Sequence, residues 1–156
     1  LWNYISAHFS MIEKVVGNNY TNEPMAFLLE DSEIQEEIEP YIMARIVDFE
    51  EFIRQYPFDI ISIHDDLHFI IDDPIMECNC GDFSLRWDAA GNTILERGGT
   101  RGETVRCDIQ TLTAMFYGYK RPTYLKRVER LQANDTAVRI LEDIIPIEQP
   151  YFSDYF

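Results

Sequence analysis

Short runs in which apolar and polar residues alternate dominate the middle of the chain. Phe83, Leu85 and Trp87 alternate with polar neighbours, which predicts a strand over residues 82–88 with one buried and one solvated face. Similar short runs, rich in β-branched residues and separated by turn residues, occupy residues 42–48, 67–73, 92–97 and 104–109. Such runs with tight connections are typical of an antiparallel sheet.

Helical spacing replaces this alternation elsewhere in the second part of the chain. Asp48 can cap a helix over residues 49–56, which Pro57 ends. Three more helices are predicted after the strands, the second opened by Pro122 and the third capped by Asp135; they cover residues 109–119, 122–131 and 136–145. Because helices follow the strands, the pattern predicts an α+β fold with helices packed on one side of the sheet.

The beginning of the chain follows a different pattern. Apolar residues recur at helical spacing up to Phe9, and residues 12–16 have the composition of a short strand. Residues 20–41 are acidic and irregular, so we place the main boundary there. We therefore expect residues 1–41 to be the end of one domain with a linker, and residues 42–156 to be a second domain.

The sequence does not have the pattern of a membrane or exported protein. No run approaches the roughly 18 apolar residues of a membrane span, and the first residues lack the basic and apolar regions of a secretion signal, so we expect a cytoplasmic protein. The helical pattern is already under way at Leu1, with no cap and no initiator Met. We expect the chain to be a fragment of a longer protein.

The composition is strongly acidic, with a formal net charge of -15. Phosphate binding depends mainly on Lys and Arg, so this charge argues against nucleic acid as a partner. A cationic ligand is compatible with it. A solvated acidic surface that keeps the protein soluble would account for the charge equally well.

Two groups of residues have the chemistry of a metal site without its usual ligand number. Cys78 and Cys80 could supply two zinc ligands, but no close second pair completes the usual four, so we expect reduced thiols and no metal. His64 and His68 flank two aspartates. Because the residues around them are rich in β-branched side chains, we expect both histidines to face solvent from a strand or turn.

Positive charge is concentrated in one short stretch, formed by Lys120, Arg121, Lys126, Arg127 and Arg130. This cluster could bind the phosphates of a nucleotide or coenzyme A, or it could be the solvated face of a helix. The apolar residues interleaved with it favour the helix face. The glycines of residues 98–102 do not precede a helix, so we interpret them as a hairpin turn and not as a phosphate loop.

Residues 148–156 are rich in aromatic side chains, whereas chain ends are usually polar. Burying these rings could contribute several kcal/mol, at roughly 25 cal/mol per Å2, and would carry the carboxylate of Phe156 inward. Desolvation raises the pKa of a carboxylate and makes it a better general base. The alternative is a hydrophobic anchor whose carboxylate lies in water, and composition alone favours this anchor.

Three segments, taken in order, resemble one known family. MARIVD (residues 43–48), DIQTLTAMFYGYKRP (residues 108–122) and EQPYFSDYF (residues 148–156) together resemble the carboxy-terminal third of the Eis-type, or enhanced intracellular survival, acetyltransferases. Those proteins have an amino-terminal acetyltransferase domain of the GNAT family, a central degenerate copy of it and a carboxy-terminal domain similar to sterol carrier proteins. The resemblance implies that residues 1–41 close the central copy and that residues 42–156 form the sterol-carrier-like domain.

The resemblance also implies a site. The family's general base is the terminal carboxylate, which falls on Phe156, and Tyr155 and Asp154 would line the acceptor pocket. Acetyl-CoA would bind to the missing amino-terminal domain, so this fragment would hold no cofactor and would be inactive alone. The whole enzyme would be an N-acetyltransferase for a cationic amine and a homo-oligomer. One departure is Cys78, where relatives commonly have Trp.

Two other functions are compatible with the sequence. A sterol-carrier-like domain could enclose a lipid tunnel, for which we would expect a cavity of roughly 300–1,000 Å3 lined by Leu112 and Phe116. Bulky neighbours such as Met115 and Tyr117 favour a filled core instead. The domain could also be an oligomerisation module without a catalytic part. Aminoglycosides, polyamines and lysine side chains are equally compatible as acceptor amines.

Overall fold

The computed structural model describes residues 2–20, 23, 25–29, 34–39, 42–59, 65–150 and 152. The chain divides into two compact units, residues 1–41 and residues 42–156. Each unit is described by itself below.

The first unit contains short helices. They are α1 (Trp2–Ala7), a 3-10 turn (Phe9–Met11) and α2 (Met25–Leu28). The predicted helix at the start is confirmed, but the predicted strand over residues 12–16 is wrong. No strand forms among the described residues of this unit, and Val16 is 77% exposed. A short β-rich run needs a paired neighbour to become a strand, and these residues have none here.

The second unit is built on a five-stranded sheet. Its strands are β1 (Leu67–Asp72), β2 (Gly81–Trp87), β3 (Thr93–Arg97), β4 (Glu103–Asp108) and β5 (Gln132–Ala133), in the spatial order β3-β2-β1-β4-β5. The four strands predicted from residue 67 onward are confirmed. Most pairings are antiparallel as predicted, but β1 and β4 pair in parallel, and the two-residue β5 was not predicted.

The glycine-rich connection between β3 and β4 is not the predicted hairpin. The two strands are not neighbours, so residues 98–102 carry the chain past β2 and β1. The Ser84 hydroxyl donates to the carbonyl of Arg101 at 2.7 Å, which holds the connection against the sheet. Gly102 has a φ of +107, and a Cβ there would lie 2.2 Å from the carbonyl oxygen of Asp66. Only glycine fits this crossing.

The prediction that His68 faces solvent is wrong, because the residue is only 8% exposed. It lies on the central strand β1, opposite Ser84 of β2, on the face that the β3–β4 connection crosses. Its Nε2 atom lies 2.7 Å from the Oδ1 atom of Asp82, within hydrogen-bonding distance. The position is therefore a satisfied buried polar one. His64 lies outside the described residues.

Four helices pack on one side of the sheet, which confirms the predicted α+β class. They are α3 (Phe49–Gln55), α4 (Ile109–Phe116), α5 (Pro122–Arg127) and α6 (Asp135–Ile144). Asp48 caps α3 as predicted, and its Oδ1 accepts from the amide of Glu51 at 2.9 Å. The cap of α6 is Asn134 and not the predicted Asp135, because the Asn134 side chain accepts from the amide of Ala137 at 2.8 Å.

Aromatic rings fill the space between the helices and the sheet. The ring of Phe49 on α3 makes edge contacts with Phe83 and Phe69, with centroids 5.1 and 5.8 Å apart. On α4, Leu112 is fully buried and Phe116 is 4% exposed. Offset and edge contacts of this kind add to the burial of apolar area. The core is continuous from α3 to α6.

The predicted strand over residues 42–48 is wrong, because this segment joins no ladder. Side-chain hydrogen bonds hold it instead, and we call Arg45, Asp73 and Asn79 the Arg45 clamp. Arg45 Nη2 lies 2.5 Å from Asp73 Oδ1, Asn79 Nδ2 donates to Asp73 Oδ2 at 2.9 Å, and Asn79 Oδ1 accepts from the amide of Phe49 at 2.9 Å. The amide of Ile46 donates to the hydroxyl of Thr113 at 3.2 Å.

Asp73 is the centre of this clamp, and its side chain is fully buried. Burial alone would raise the pKa of Asp73. Hydrogen bonds from Asn79, two backbone amides and Arg45 outweigh that effect and hold the pKa of Asp73 well below its ordinary value. The carboxyl is therefore ionised and paired. The loop in which Cys78 departs from the family pattern is thus tied into the fold.

Candidate functional site: the anchor of the tail root

A set of polar contacts holds the segment that follows α6 against the rest of the domain. We call residues 145–150 the tail root, and Arg121, Glu142 and Gly118 the Arg121 anchor. Arg121 immediately precedes Pro122, which favours extended backbone at that position, and its ψ is 151. This conformation ends the turn after α4 and starts α5. The Arg121 side chain crosses to the end of α6.

The guanidinium of Arg121 contacts one carboxylate and three carbonyls. Its Nε donates to Glu142 Oε2 at 2.8 Å, and its Nη2 lies 2.6 Å from the same oxygen. Nη2 also donates to the carbonyl of Glu142 at 2.8 Å. Nη1 donates to the carbonyls of Ile145 and Pro146 at 3.0 and 3.1 Å. Only the planar fork of an arginine can serve so many acceptors at once.

Glu142 keeps this arginine in place. Its Oε1 accepts from the amide of Thr123 at 2.8 Å, so the carboxylate bridges α5 and α6. Burial would raise the pKa of Glu142, but hydrogen bonds from Thr123 and Arg121 together with the charge of Arg121 outweigh it and lower that pKa. The carboxylate therefore stays ionised beside the guanidinium.

Gly118 holds the next part of the tail root by close approach. Its φ is +72, in the left-handed region that favours glycine, and a Cβ at this position would lie 1.9 Å from the carbonyl oxygen of Glu148. The backbone of the tail root thus passes directly over the turn after α4. Any larger residue at position 118 would push this segment away.

Tyr56 lies beside the same place. Its hydroxyl donates to the carbonyl of Phe116 at 2.8 Å. Burial raises the pKa of Tyr56 to about 12, the charge of Arg121 opposes that rise, and the carboxylates of Asp59 and Glu148 add to it. The amide of Asp59 donates to the carbonyl of Ile144 at 2.9 Å. Tyr56 is therefore a neutral hydroxyl packed between α4 and the tail root.

The residues that the resemblance assigns to the site lie outside the described part of the chain. Asp154, Tyr155 and Phe156 are among the residues of which the structure says nothing. Phe152 is described and is 37% exposed. The site residues assigned from the sequence thus stay predictions. The structure describes the segment that precedes them, the tail root, and the residues that hold it.

Two family models match the sequence. Residues 1–46 match the acetyltransferase (GNAT) domain, and residues 49–153, more than half of the chain, match the sterol carrier protein domain. The chain belongs to the sterol carrier protein domain family. No curated protein matches it.

Several solved structures are similar to most of this chain. A conserved protein from Enterococcus faecalis, described as a probable N-acyltransferase, is 30% identical with a TM-score of 0.75, over 88% of this chain and 34% of that one. A GCN5-related N-acetyltransferase from Anabaena variabilis is 26% identical with a TM-score of 0.67, over 96% and 37%. Eis1 from Mycobacterium abscessus, at 17% identity and a TM-score of 0.68 over 97% and 39%, shows a shared fold alone. The chain spans about a third of the length of these relatives.

The anchoring residues of the sterol carrier protein domain were missed by the sequence analysis. Arg121 was grouped with a cationic cluster, and Gly118 was included in a helix. A usable signal was present in the sequence. Pro122 favours the start of a helix, which places Arg121 at the cap, and Gly118 favours the end of the preceding helix. Nothing local, however, indicates that the tail root returns to these two residues.

The other cations of the cluster are engaged within the domain. Lys126 Nζ lies 2.6 Å from Asp135 Oδ1, and Arg130 Nη2 lies 3.0 Å from Asp108 Oδ2. Lys120 Nζ lies 4.4 Å from the centre of the Tyr119 ring. Of the five cations only Lys126 and Arg127 lie on α5, because the helix ends at Arg127 and not at residue 131 as predicted, so the predicted single cationic helix face does not form. The contacts leave fewer charges for a phosphate.

The described residues form neither a metal-binding group nor a membrane-spanning helix. Among the described residues, no group of three or more Cys, His, Asp or Glu side chains is arranged to hold a metal ion. Cys78 is exposed, whereas Cys107 is buried, and burial raises the pKa of the Cys107 thiol. No helix within the described ranges has the length and apolar character needed to cross a bilayer.

Two open depressions lie on the surface of the domain. One, of about 560 Å3, is lined by the ends of β1 and β4 and by residues that include Glu129 and Arg130. The other, of about 510 Å3, is lined by residues around Asp66 and Arg101. Both linings are largely polar, and neither includes the core side chains of α4. Neither therefore resembles the apolar tunnel of a lipid carrier.

Proposed function

We propose that this chain is the carboxy-terminal part of an acetyl-CoA-dependent N-acetyltransferase of the Eis type that acts on a cationic amine. One observation carries the proposal: in a single chain, a match to the GNAT acetyltransferase domain is followed directly by a sterol carrier protein domain. Two similar structures at 26% identity or more are described as an N-acetyltransferase and a probable N-acyltransferase. The anchored tail root supports the same function, because it gives a following segment a fixed starting point.

The catalytic role proposed for this chain is proton removal by its tail. With acetyl-CoA bound to an amino-terminal acetyltransferase domain outside this chain, the carboxylate of Phe156 would take a proton from the substrate ammonium. The freed amine would then form a C–N bond at the thioester carbon while the C–S bond breaks, and coenzyme A would leave as its thiol with a second proton from the nitrogen. This role needs a free carboxylate, so it applies to an enzyme whose chain ends at Phe156. An α-carboxyl ordinarily titrates near 3.3 to 3.7, and desolvation by neighbours such as Tyr155 would raise its pKa toward a useful range.

The acceptor class is proposed from charge. The net charge of -15 attracts cations over the whole surface and would raise their local concentration. Asp154, proposed to line the acceptor pocket, would pair with an ammonium group. Aminoglycosides, polyamines and lysine side chains all meet this description, so we propose the class and not the individual compound.

The packing of the core weighs against the lipid-carrier alternative. Phe116, which would line a tunnel, packs against Phe69 with ring centroids 6.2 Å apart, and Leu112 is fully buried in the same core. A carrier needs an apolar cavity of at least roughly 300 Å3. We therefore regard the domain as a scaffold for the tail.

Changing the end of the full-length enzyme tests the proposed function. We expect deletion of Phe156, or addition of one glycine after it, to lower kcat about 100-fold or more, because general-base catalysis contributes roughly 10² to 10⁴. Turnover of acetyl-CoA with an aminoglycoside, a polyamine and a lysine peptide would be measured. Phe156→Leu is the matched control, since it changes the ring and keeps the carboxylate, and its loss should be much smaller.

Full activity of both the deletion and the extension would exclude the carboxylate as general base. The separated 156-residue chain should show no turnover, because we assign the acetyl-CoA site to an amino-terminal acetyltransferase domain that this chain does not include.

A further inference from the structure

The tail root is held at successive points along one path. The amide of Asp59 binds the carbonyl of Ile144, the last residue of α6. Arg121 then binds the carbonyls of Ile145 and Pro146 at 3.0 and 3.1 Å. Two residues later, Glu148 passes over the turn that contains Gly118. The tail root is thus fixed at several consecutive points, so its backbone follows a defined path.

Capping of α6 accounts for only part of these contacts. The last turn of a helix leaves carbonyls without partners, and an arginine that satisfied them would stabilise the helix. The Arg121 contact to Glu142 is of this kind. Pro146 lies beyond the helix, however, so the Arg121 contact to its carbonyl fixes the path of the chain and not the helix.

We propose that Arg121 is a positioning residue for the N-acetyltransferase reaction. By holding the tail root, residues 145–150, Arg121 sets the point from which the rest of the chain continues, and so it limits where the carboxylate of Phe156 can reach. This inference rests on the proposed function, because it requires that carboxylate to be the general base. Arg121 acts only through the tail, since its own donors are occupied by Glu142 and the tail-root carbonyls.

The size of the kinetic effect separates positioning from simple tethering. Phe156 lies eight residues beyond Glu148 and twelve beyond Ile144. For a flexible tether, the effective concentration of its end falls roughly as the −3/2 power of its length, so release of the tail root would cost less than about twofold. Misplacement of a catalytic group by about 1 Å can cost about 100-fold. A loss of tenfold or more therefore indicates positioning.

The experiment compares two Arg→Lys variants of the full-length enzyme. Arg121→Lys keeps a positive charge near Glu142 but loses the fork that reaches the tail-root carbonyls. Arg130→Lys is the matched control, because Arg130 pairs with Asp108 at 3.0 Å within the same domain. Two readouts are used: steady-state kinetics with acetyl-CoA and spermidine, and the rate at which chymotrypsin cleaves after Phe152.

We expect Arg121→Lys to lower kcat at least about tenfold while the KM for acetyl-CoA is unchanged, and to accelerate cleavage after Phe152. Arg130→Lys should stay within about twofold of the wild type in both readouts. If Arg121→Lys lowers the yield of folded protein, Glu142→Gln replaces it. That variant keeps the shape of the side chain and removes the charge that pairs with Arg121, so we expect a smaller change in the same direction.

Faster cleavage with a kcat loss below about twofold would overturn the positioning role and leave a structural contact. Unchanged cleavage would overturn it too, because Arg121 would then not hold the tail. The Phe156 deletion tells this failure apart from failure of the proposed function. If the deletion removes activity while Arg121→Lys does not, the general base stands and the positioning role falls. If the deletion has no effect, the general base itself is wrong.

Discussion

Two irregular segments, residues 42–48 and the tail root, lie near the two ends of the second unit, and an arginine–carboxylate pair holds each of them. In the Arg45 clamp, the carboxylate of Asp73 is fully buried and Arg45 is 28% exposed. In the Arg121 anchor, Arg121 and Glu142 are both 27% exposed. Removing a fully buried carboxylate costs several kcal/mol because its donors lose their acceptor, whereas a partly exposed pair contributes less. The Arg45 clamp is therefore suited to stability, and the Arg121 anchor to fixing the path of the tail root.

The groups that the two arginines bind also differ. The Arg45 clamp needs particular side chains, because Arg45 lies in the segment that it holds and pairs with the carboxylate of Asp73. The Arg121 anchor binds backbone carbonyls of the tail root. Backbone contacts fix the path of a segment whatever its side chains are. The sequence of the tail root can thus vary while its direction is kept.

The largest effect is expected from breaking the buried pair. Asp73→Ala leaves the Arg45 charge, Asn79 and two backbone amides without their acceptor, so the free energy of unfolding should fall by about 3 kcal/mol or more. Urea unfolding followed by fluorescence measures the change. Glu96→Gln is the control, since Glu96 pairs with Arg86 at the surface at 2.6 Å and should give little measurable change. Equal losses in the two variants would contradict the comparison.

The contribution of Asp73 should also depend on pH. Its pKa in the folded state lies below the unfolded value of about 3.9, so the ionised carboxyl stabilises the fold above about pH 4, and this stabilisation is lost as pH falls further. The difference in unfolding free energy between wild type and Asp73→Ala should be constant from about pH 5 to 8. It should shrink in more acidic buffer.

A smaller effect is expected at the tail root. Gly118→Ala places a methyl group against Glu148 and requires a left-handed alanine, which itself costs about 1 kcal/mol. Gly98→Ala is the matched control, because Gly98 has a φ of +76 and nothing within 4 Å of an added Cβ. We expect the loss at Gly118 to exceed that at Gly98 by about 1 kcal/mol or more. Hydrogen exchange of residues 145–150 should accelerate only in Gly118→Ala.

The smallest effect is expected at Tyr56. Tyr56→Phe removes the donor to the carbonyl of Phe116 and should cost about 1 kcal/mol at neutral pH. Because the folded pKa of Tyr56 is raised to about 12 from an unfolded value near 10, its contribution is present below about pH 10 and is lost as pH rises toward 12. A difference between wild type and variant that does not change over this range would contradict the assignment.

The sequence predicted those parts of the fold that depend on local pattern. The alternation around Phe83 and Leu85 appears because their side of β2 lies on the core, and Asp48 caps α3 through its own side chain. The other side of β2 is not fully solvated as predicted, because Ser84 is buried under the β3–β4 connection. Residues 42–48 show a similar alternation, yet no strand lies beside them, so they are held by the Arg45 clamp. Alternation reports which side chains are buried and not which backbone they pair with.

Long-range contacts were beyond the reach of the sequence. The parallel pairing of β1 with β4 depends on the connection over residues 98–102, whose glycines fit a hairpin equally well in local terms. The anchor of the tail root joins Arg121 to residues more than twenty positions later. Its components look like an ordinary cationic helix face until α5 and α6 are brought together. The assignment of Phe156, by contrast, came from family resemblance and stays a prediction.

One short stretch of the fold receives the chain at both borders of the domain. Thr113 in α4 binds the amide of Ile46, and Gly118, just after α4, supports Glu148. Positions 113 and 118 are five residues apart, which in a helix corresponds to roughly 8 Å, so the backbone segments at Ile46 and Glu148 lie close to each other. A module whose borders are neighbours can be exchanged for a homologous one without a longer connection. The domain is thereby suited to exchange as an intact unit.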